Sequence, residues 1–140
     1  MKNIFKIFSI LALAVVFSCE DSKYNTNCDE CDETEPVEVV ISAQLSNPHP
    51  ENGVIVKLYE GKLEDKVLYD SAKIFFTTKF ERRVPPNKTY TATATYIIDG
   101  KEYTITDSTT PRVKYTEDLC DNPCYFTYNK KLNLRYKYIK

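Results

Sequence analysis

The chain has no tryptophan, one histidine, one methionine and only three glycines in 140 residues. Each scarcity removes a class of chemistry. Gly53, Gly61 and Gly100 all stand at turn positions, so none is left to build the glycine-rich cradle that phosphates require. The single histidine, His49, lies between Pro48 and Pro50 with no serine or cysteine nucleophile beside it, and is expected to be plain surface. No nucleophile-elbow motif occurs. Apolar residues never recur with a helical period after the first segment, and no internal repeat is present. Charge of one sign is also missing: 19 Lys and Arg face 20 Asp and Glu, for a net −1. Without a uniform basic field, nucleic acid is excluded as a partner. No enzyme activity, no metal and no cofactor are expected.

What the chain does have begins at its N-terminus. Lys2 and Lys6 form a positive head, the stretch 7–17 is apolar apart from Ser9, and Ser18-Cys19 closes it. That is the form of a secretory signal, and the apolar run is too short for a membrane span of about 20 residues. Val16-Phe17-Ser18-Cys19 resembles a bacterial lipobox, with Phe17 where a small residue is usual. The resemblance implies that residues 1–18 are removed and that Cys19 is acylated and becomes the first residue of the mature chain. Two or more lipid chains hold a protein stably on a bilayer. Glu20-Asp21 follows at once, resembling the acidic signal that accompanies export to the outer face of the outer membrane in some diderm bacteria. A lipid-anchored outer-membrane protein, exposed at the cell surface or otherwise on the periplasmic face, is the expectation. Removal of 1–18 takes away two lysines and no acid, leaving the mature chain at about −3.

Five cysteines are an odd number for an exported protein. Acylation of Cys19 accounts for the odd one and leaves Cys28, Cys31, Cys120 and Cys124. Four thiolates could hold zinc, but an oxidising compartment favours disulfides over a metal. Four cysteines allow three connectivities. Crossed pairing, 28 or 31 with 120 or 124, is favoured because it closes long loops, and because cations at Lys130, Lys131, Arg135, Lys137 and Lys140 suit the acidic N-terminal segment. Such pairing would clasp that segment to the C-terminal part of the domain. Residues 19–36 otherwise read as an acidic, lipid-anchored tether, without the glycine and terminal glutamate that a calcium loop needs.

Residues 37–140 read as one domain built of strands. Eleven tyrosines, seven phenylalanines and many threonines and valines favour strands. Alternation marks strands over 37–45, 54–59, 66–70, 74–84, 89–98, 101–107 and 131–140. In 74–84 the alternation puts Arg82 among apolar neighbours. Asp99-Gly100 signals a tight hairpin, because both central residues of a type I′ turn need positive φ. Tyr90, Ala92, Ala94, Tyr96, Val54, Val56, Leu58 and Ile41 are expected to face inward. About seven short strands separated by turns predict an all-β fold, an antiparallel β-sandwich.

Val84-Pro85-Pro86-Asn87-Lys88-Thr89-Tyr90, opening an alternating strand, resembles the loop-to-strand corner of fibronectin-III-like and prealbumin-like (Ig-like) sandwiches. In those, a tyrosine hydroxyl bonds back to upstream backbone. Asn87 replaces the usual glycine, and asparagine tolerates the left-handed conformation. The arrangement also resembles small diderm lipoproteins carrying one such sandwich. The implied function is a non-catalytic binding or accessory module that meets an unidentified protein or glycan partner. The alternative is a structural subunit that pairs through a strand edge. Asp70-Ser71-Ala72 and Asp107-Ser108-Thr109 resemble short O-glycosylation acceptors, which makes Ser71 and Ser108 candidate sites; otherwise both strings read as turns.

Overall fold

The structure is a computed structural model that describes residues 28–48 and 51–137. The signal segment, Cys19, His49 and Lys140 lie outside the described residues. Nine strands follow in order: β1 (Val39–Leu45), β2 (Val54–Glu60), β3 (Leu68–Ile74), β4 (Lys79–Val84), β5 (Tyr90–Ile98), β6 (Lys101–Thr109), β7 (Arg112–Thr116), β8 (Cys124–Tyr128) and β9 (Lys131–Leu134). They form a three-stranded sheet β4-β1-β9, a four-stranded sheet β3-β2-β5-β6 and a two-stranded sheet β7-β8.

Alternation drives this arrangement. In β1 the residues Val39, Ile41, Ala43 and Leu45 are buried while their neighbours are not. In β2 the same holds for Val54, Val56 and Leu58. These two rows join Phe80, Val84, Tyr90, Ala92, Ala94, Tyr96, Leu132 and Leu134 in one apolar cluster between the larger sheets. All eight residues expected to face inward are buried. Asp99 and Gly100 take φ of 49° and 75°, and the hairpin they close keeps Ile98 opposite Lys101.

Five expectations are corrected. The fold is not purely antiparallel, because β9 runs parallel to β1, with Ser42 opposite Lys131 and Leu45 opposite Leu134. There are nine strands among the described residues rather than seven. The segments around the cysteine-bearing turn, 112–116 and 124–128, form a hairpin that alternation did not single out, since Arg112, Lys114 and Tyr115 blur its apolar face. The strand read over 66–70 runs instead over Leu68–Ile74, and that over 74–84 begins only at Lys79. Phe76 is thereby left outside β4 and 91 % exposed, as the chain crosses from one sheet to the other. The last strand ends at Leu134.

The corner before β5 has the form that the resemblance implied. Asn87 adopts φ 64°, and its N–H donates to the Pro111 carbonyl at 2.7 Å. The Tyr90 hydroxyl donates to the Pro85 carbonyl at 3.0 Å. The ring is fully buried, so this bond satisfies a polar group that would otherwise be stranded. Tyr96 does the same between sheets: it accepts from the Ser46 N–H at 3.1 Å and donates to the Leu134 carbonyl at 2.7 Å.

Candidate functional site

Four cysteines gather at one place. Cys28 is bonded to Cys120 and Cys31 to Cys124, with Cα separations of 5.8 and 5.6 Å, in the ordinary disulfide range. This is the crossed pairing. The reason for the fit is local: a short 3-10 turn over Cys28–Glu30 presents the first two cysteines, and the bend before β8 presents the others. Asp32 and Tyr125 then exchange two backbone bonds, at 2.8 and 2.7 Å, so the N-terminal segment adds a short third rung to the edge of β8. Of the cations expected to meet this acidic segment, Lys130 does so, with its Nζ 3.4 Å from Glu30. The sulfurs of Cys31, Cys120 and Cys124 all lie within 4.8 Å of one another. A metal would need them as thiolates, whereas here they are consumed by disulfide bonds.

Ser71 and Ser108 do not lie in turns. Both are exposed and within strands, Ser71 at the middle of β3 and Ser108 next to the end of β6, the outermost strands of the four-stranded sheet. Their preceding aspartates share one device. Asp70 Oδ1 accepts from the Ser71 N–H at 2.7 Å, while Oδ2 takes the Arg82 Nε from β4 of the facing sheet. Asp107 Oδ1 accepts from the Ser108 N–H at 2.9 Å, while Oδ2 accepts from the Asn133 N–H of β9 at 2.7 Å. Tyr69 adds a hydroxyl bond to the Arg83 carbonyl at 3.2 Å, and Thr109 one to the Asn129 carbonyl at 2.6 Å. Both lateral openings between the large sheets are thus stitched by side chains. Arg82, which alternation placed among apolar neighbours, lies 4.5 Å over the Phe80 ring and reaches the seam with its head. The guanidinium holds the Asp70 carboxyl below its ordinary value, chiefly through that hydrogen bond.

A cleft of about 520 Å³ opens at one end of the sandwich-like core, between the β1–β2 connection and the β5–β6 turn. Asn47, Asn52 and Asp99 supply polar groups to it, and Tyr96 and Tyr136, packed edge to face at 5.0 Å, supply aromatic ones. The volume suits a small ligand or a side chain of a partner. Sequence reading did not find this cleft, since Tyr136 lies forty residues beyond Tyr96 and only the β9 crossing brings them together. Comparison with known protein families, with curated proteins and with solved structures finds no match to this chain.

Proposed function

We propose that the protein is an outer-membrane lipoprotein, anchored through Cys19 and displayed at the cell surface, whose Ig-like or prealbumin-like sandwich is a non-catalytic binding module for a protein or glycan partner. The crossed disulfides carry this reading. Two bridges between distant segments belong to an oxidising compartment, and they answer for the four cysteines that an acylated Cys19 would leave. The tyrosine corner at Tyr90 supports the sandwich family, and the loop-end cleft offers a place for a ligand. Assembly through a strand edge has less support, because Asp70 and Asp107 each take a backbone N–H of the outer strands, at Ser71, Ser108 and Asn133, that such pairing could use. Substituting Cys19→Ala is expected to abolish labelling by a radioactive fatty acid and to move the protein out of the membrane fraction. Unchanged labelling and fractionation would refute the anchor.

A further inference from the structure

The outward positions of the three-stranded sheet collect a charge that the whole chain lacks. β4 turns Lys79, Glu81 and Arg83 outward, β1 turns Val40, Ser42 and Gln44, and β9 turns Lys131 and Asn133. Register sets Glu81, Ser42 and Lys131 in one row and Lys79, Gln44 and Asn133 in the next. Arg135 follows β9 directly, and its Nε donates to Asn133 Oδ1 at 3.0 Å, which keeps the guanidinium on this face. Lys79, Arg83, Lys131 and Arg135 therefore stand against two carboxylates, Glu81, which Lys79 engages at 2.6 Å, and the exposed Glu38 immediately before β1. The same face holds a hollow of about 330 Å³ lined by Ser42, Gln44, Thr78, Lys79 and Arg135.

We propose that this face binds an acidic polysaccharide, which names a ligand class for the binding module described above. Lys79 and Arg83 are about 13 Å apart along β4, and β4 and β9 lie about 10 Å apart across the sheet. One small anion cannot reach all four cations, whereas a polymer with repeating carboxylates or sulfates can. Between the cations stand a hydroxyl and two amides, Ser42, Gln44 and Asn133, able to exchange hydrogen bonds with sugar hydroxyls. A membrane surface fits less well. Docking on lipid combines cations with inserted apolar groups, and the exposed Phe76, Val67, Leu68, Tyr115 and Leu119 all lie outside these three strands, leaving this sheet Val40 and, just before β1, Val37. Single-stranded nucleic acid fits no better, since these outward positions carry no aromatic ring for a base to stack on. Charged residues also protect outer strands from association, but that role is served by either sign and does not require four cations together.

The test is electrophoresis of the purified full chain through native gels containing polygalacturonate, dextran sulfate or neutral dextran. A chain of net negative charge is expected to migrate freely; the basic face predicts retardation by an acidic polymer, fading as salt rises above about 0.15 M. Retardation by polygalacturonate alone identifies carboxylate polymers, and by dextran sulfate alone sulfated ones. Lys131→Glu with Arg135→Glu should weaken retention about ten-fold or more, whereas Lys57→Glu with Lys73→Glu, the same charge change on the outward face of the other sheet, should leave it within about two-fold. Retardation by neither acidic polymer, equal loss in both variants, or tighter binding to anionic vesicles or duplex DNA would each overturn the proposal. Thermal melts of the variants, with substitutions at exposed positions, separate lost binding from lost folding. Fatty-acid labelling at Cys19 is read in parallel, so a failed retention removes the ligand class without touching the anchored-module reading.

Discussion

Tyr90 shows how a polar group is accommodated in an apolar interior. Its ring packs edge to face with Tyr69 at 5.6 Å and its hydroxyl reaches the Pro85 carbonyl. Replacing it by alanine empties a large volume and should destabilise the domain by about 3–5 kcal/mol. Tyr90→Phe keeps the ring, removes one hydrogen bond and leaves a carbonyl without its donor, for a loss of about 1 kcal/mol. Urea denaturation midpoints of the two variants would give that ratio; equal midpoints would place the ring in solvent. Burial pushes the hydroxyl of Tyr90 up to about 12 from the ordinary 10.0, and that of Tyr96 upward as well. A group whose folded pKa is raised contributes stability that is complete below the unfolded value and lost above it. The domain should therefore weaken as pH rises from about 10 to about 12, followed by tyrosinate absorbance together with circular dichroism.

Between elements, the seams show what the sequence could and could not disclose. The alternation of β1 and β2 is written in the chain, because each has one wet face and one dry face and period two follows from that; in β5 it is written as threonine against alanine and tyrosine, although Thr91 and Thr93 are themselves buried. The corner at Tyr90 was legible through resemblance alone, in the prolines and asparagine that stand before an alternating strand. Arg82 was legible as an anomaly but not as a seam, since nothing local says that β3 and β4 end up on facing sheets. The two Asp-Ser strings looked like turns because aspartate and serine favour turns; here each aspartate caps the next N–H from within a strand and spends its second oxygen on the opposite sheet. Asp107→Ala should release the Asn133 amide, raising its hydrogen-exchange rate well above those of β5, and should destabilise the domain by about 1–3 kcal/mol. For Asp70 the folded pKa is depressed, so its contribution is complete above the ordinary 3.8 and is lost as pH falls through the lower folded value. Asp70→Asn should remove that acid dependence, as read from melting temperature between about pH 5 and pH 2.

On the scale of the molecule, the two disulfides act as one clasp. Each closes a loop of more than ninety residues, at sequence separations of 92 and 93. The first to form constrains the unfolded chain by about 4–5 kcal/mol in the loop-entropy account; the second then closes only a small ring and adds about 2–3 kcal/mol. The pair Cys28→Ser and Cys120→Ser should thus cost about as little as the pair Cys31→Ser and Cys124→Ser, and removal of both bridges far more than either. Denaturant midpoints of the three variants check this, and simple additivity would contradict it.

The clasp also decides where mechanical tension runs. Cys124 is bonded to Cys31 and stands only seven residues before Lys131 on β9. A pull entering at Lys131 or Arg135 and resisted from upstream of Cys28 travels along β8 and out through sulfur, so β2, β3, β5 and β6 are bypassed. Strand hydrogen bonds that would peel under load are carried as slack inside a closed covalent ring. Reduction would return the intervening chain to the line of force, lengthening the stretched molecule by about 300 Å.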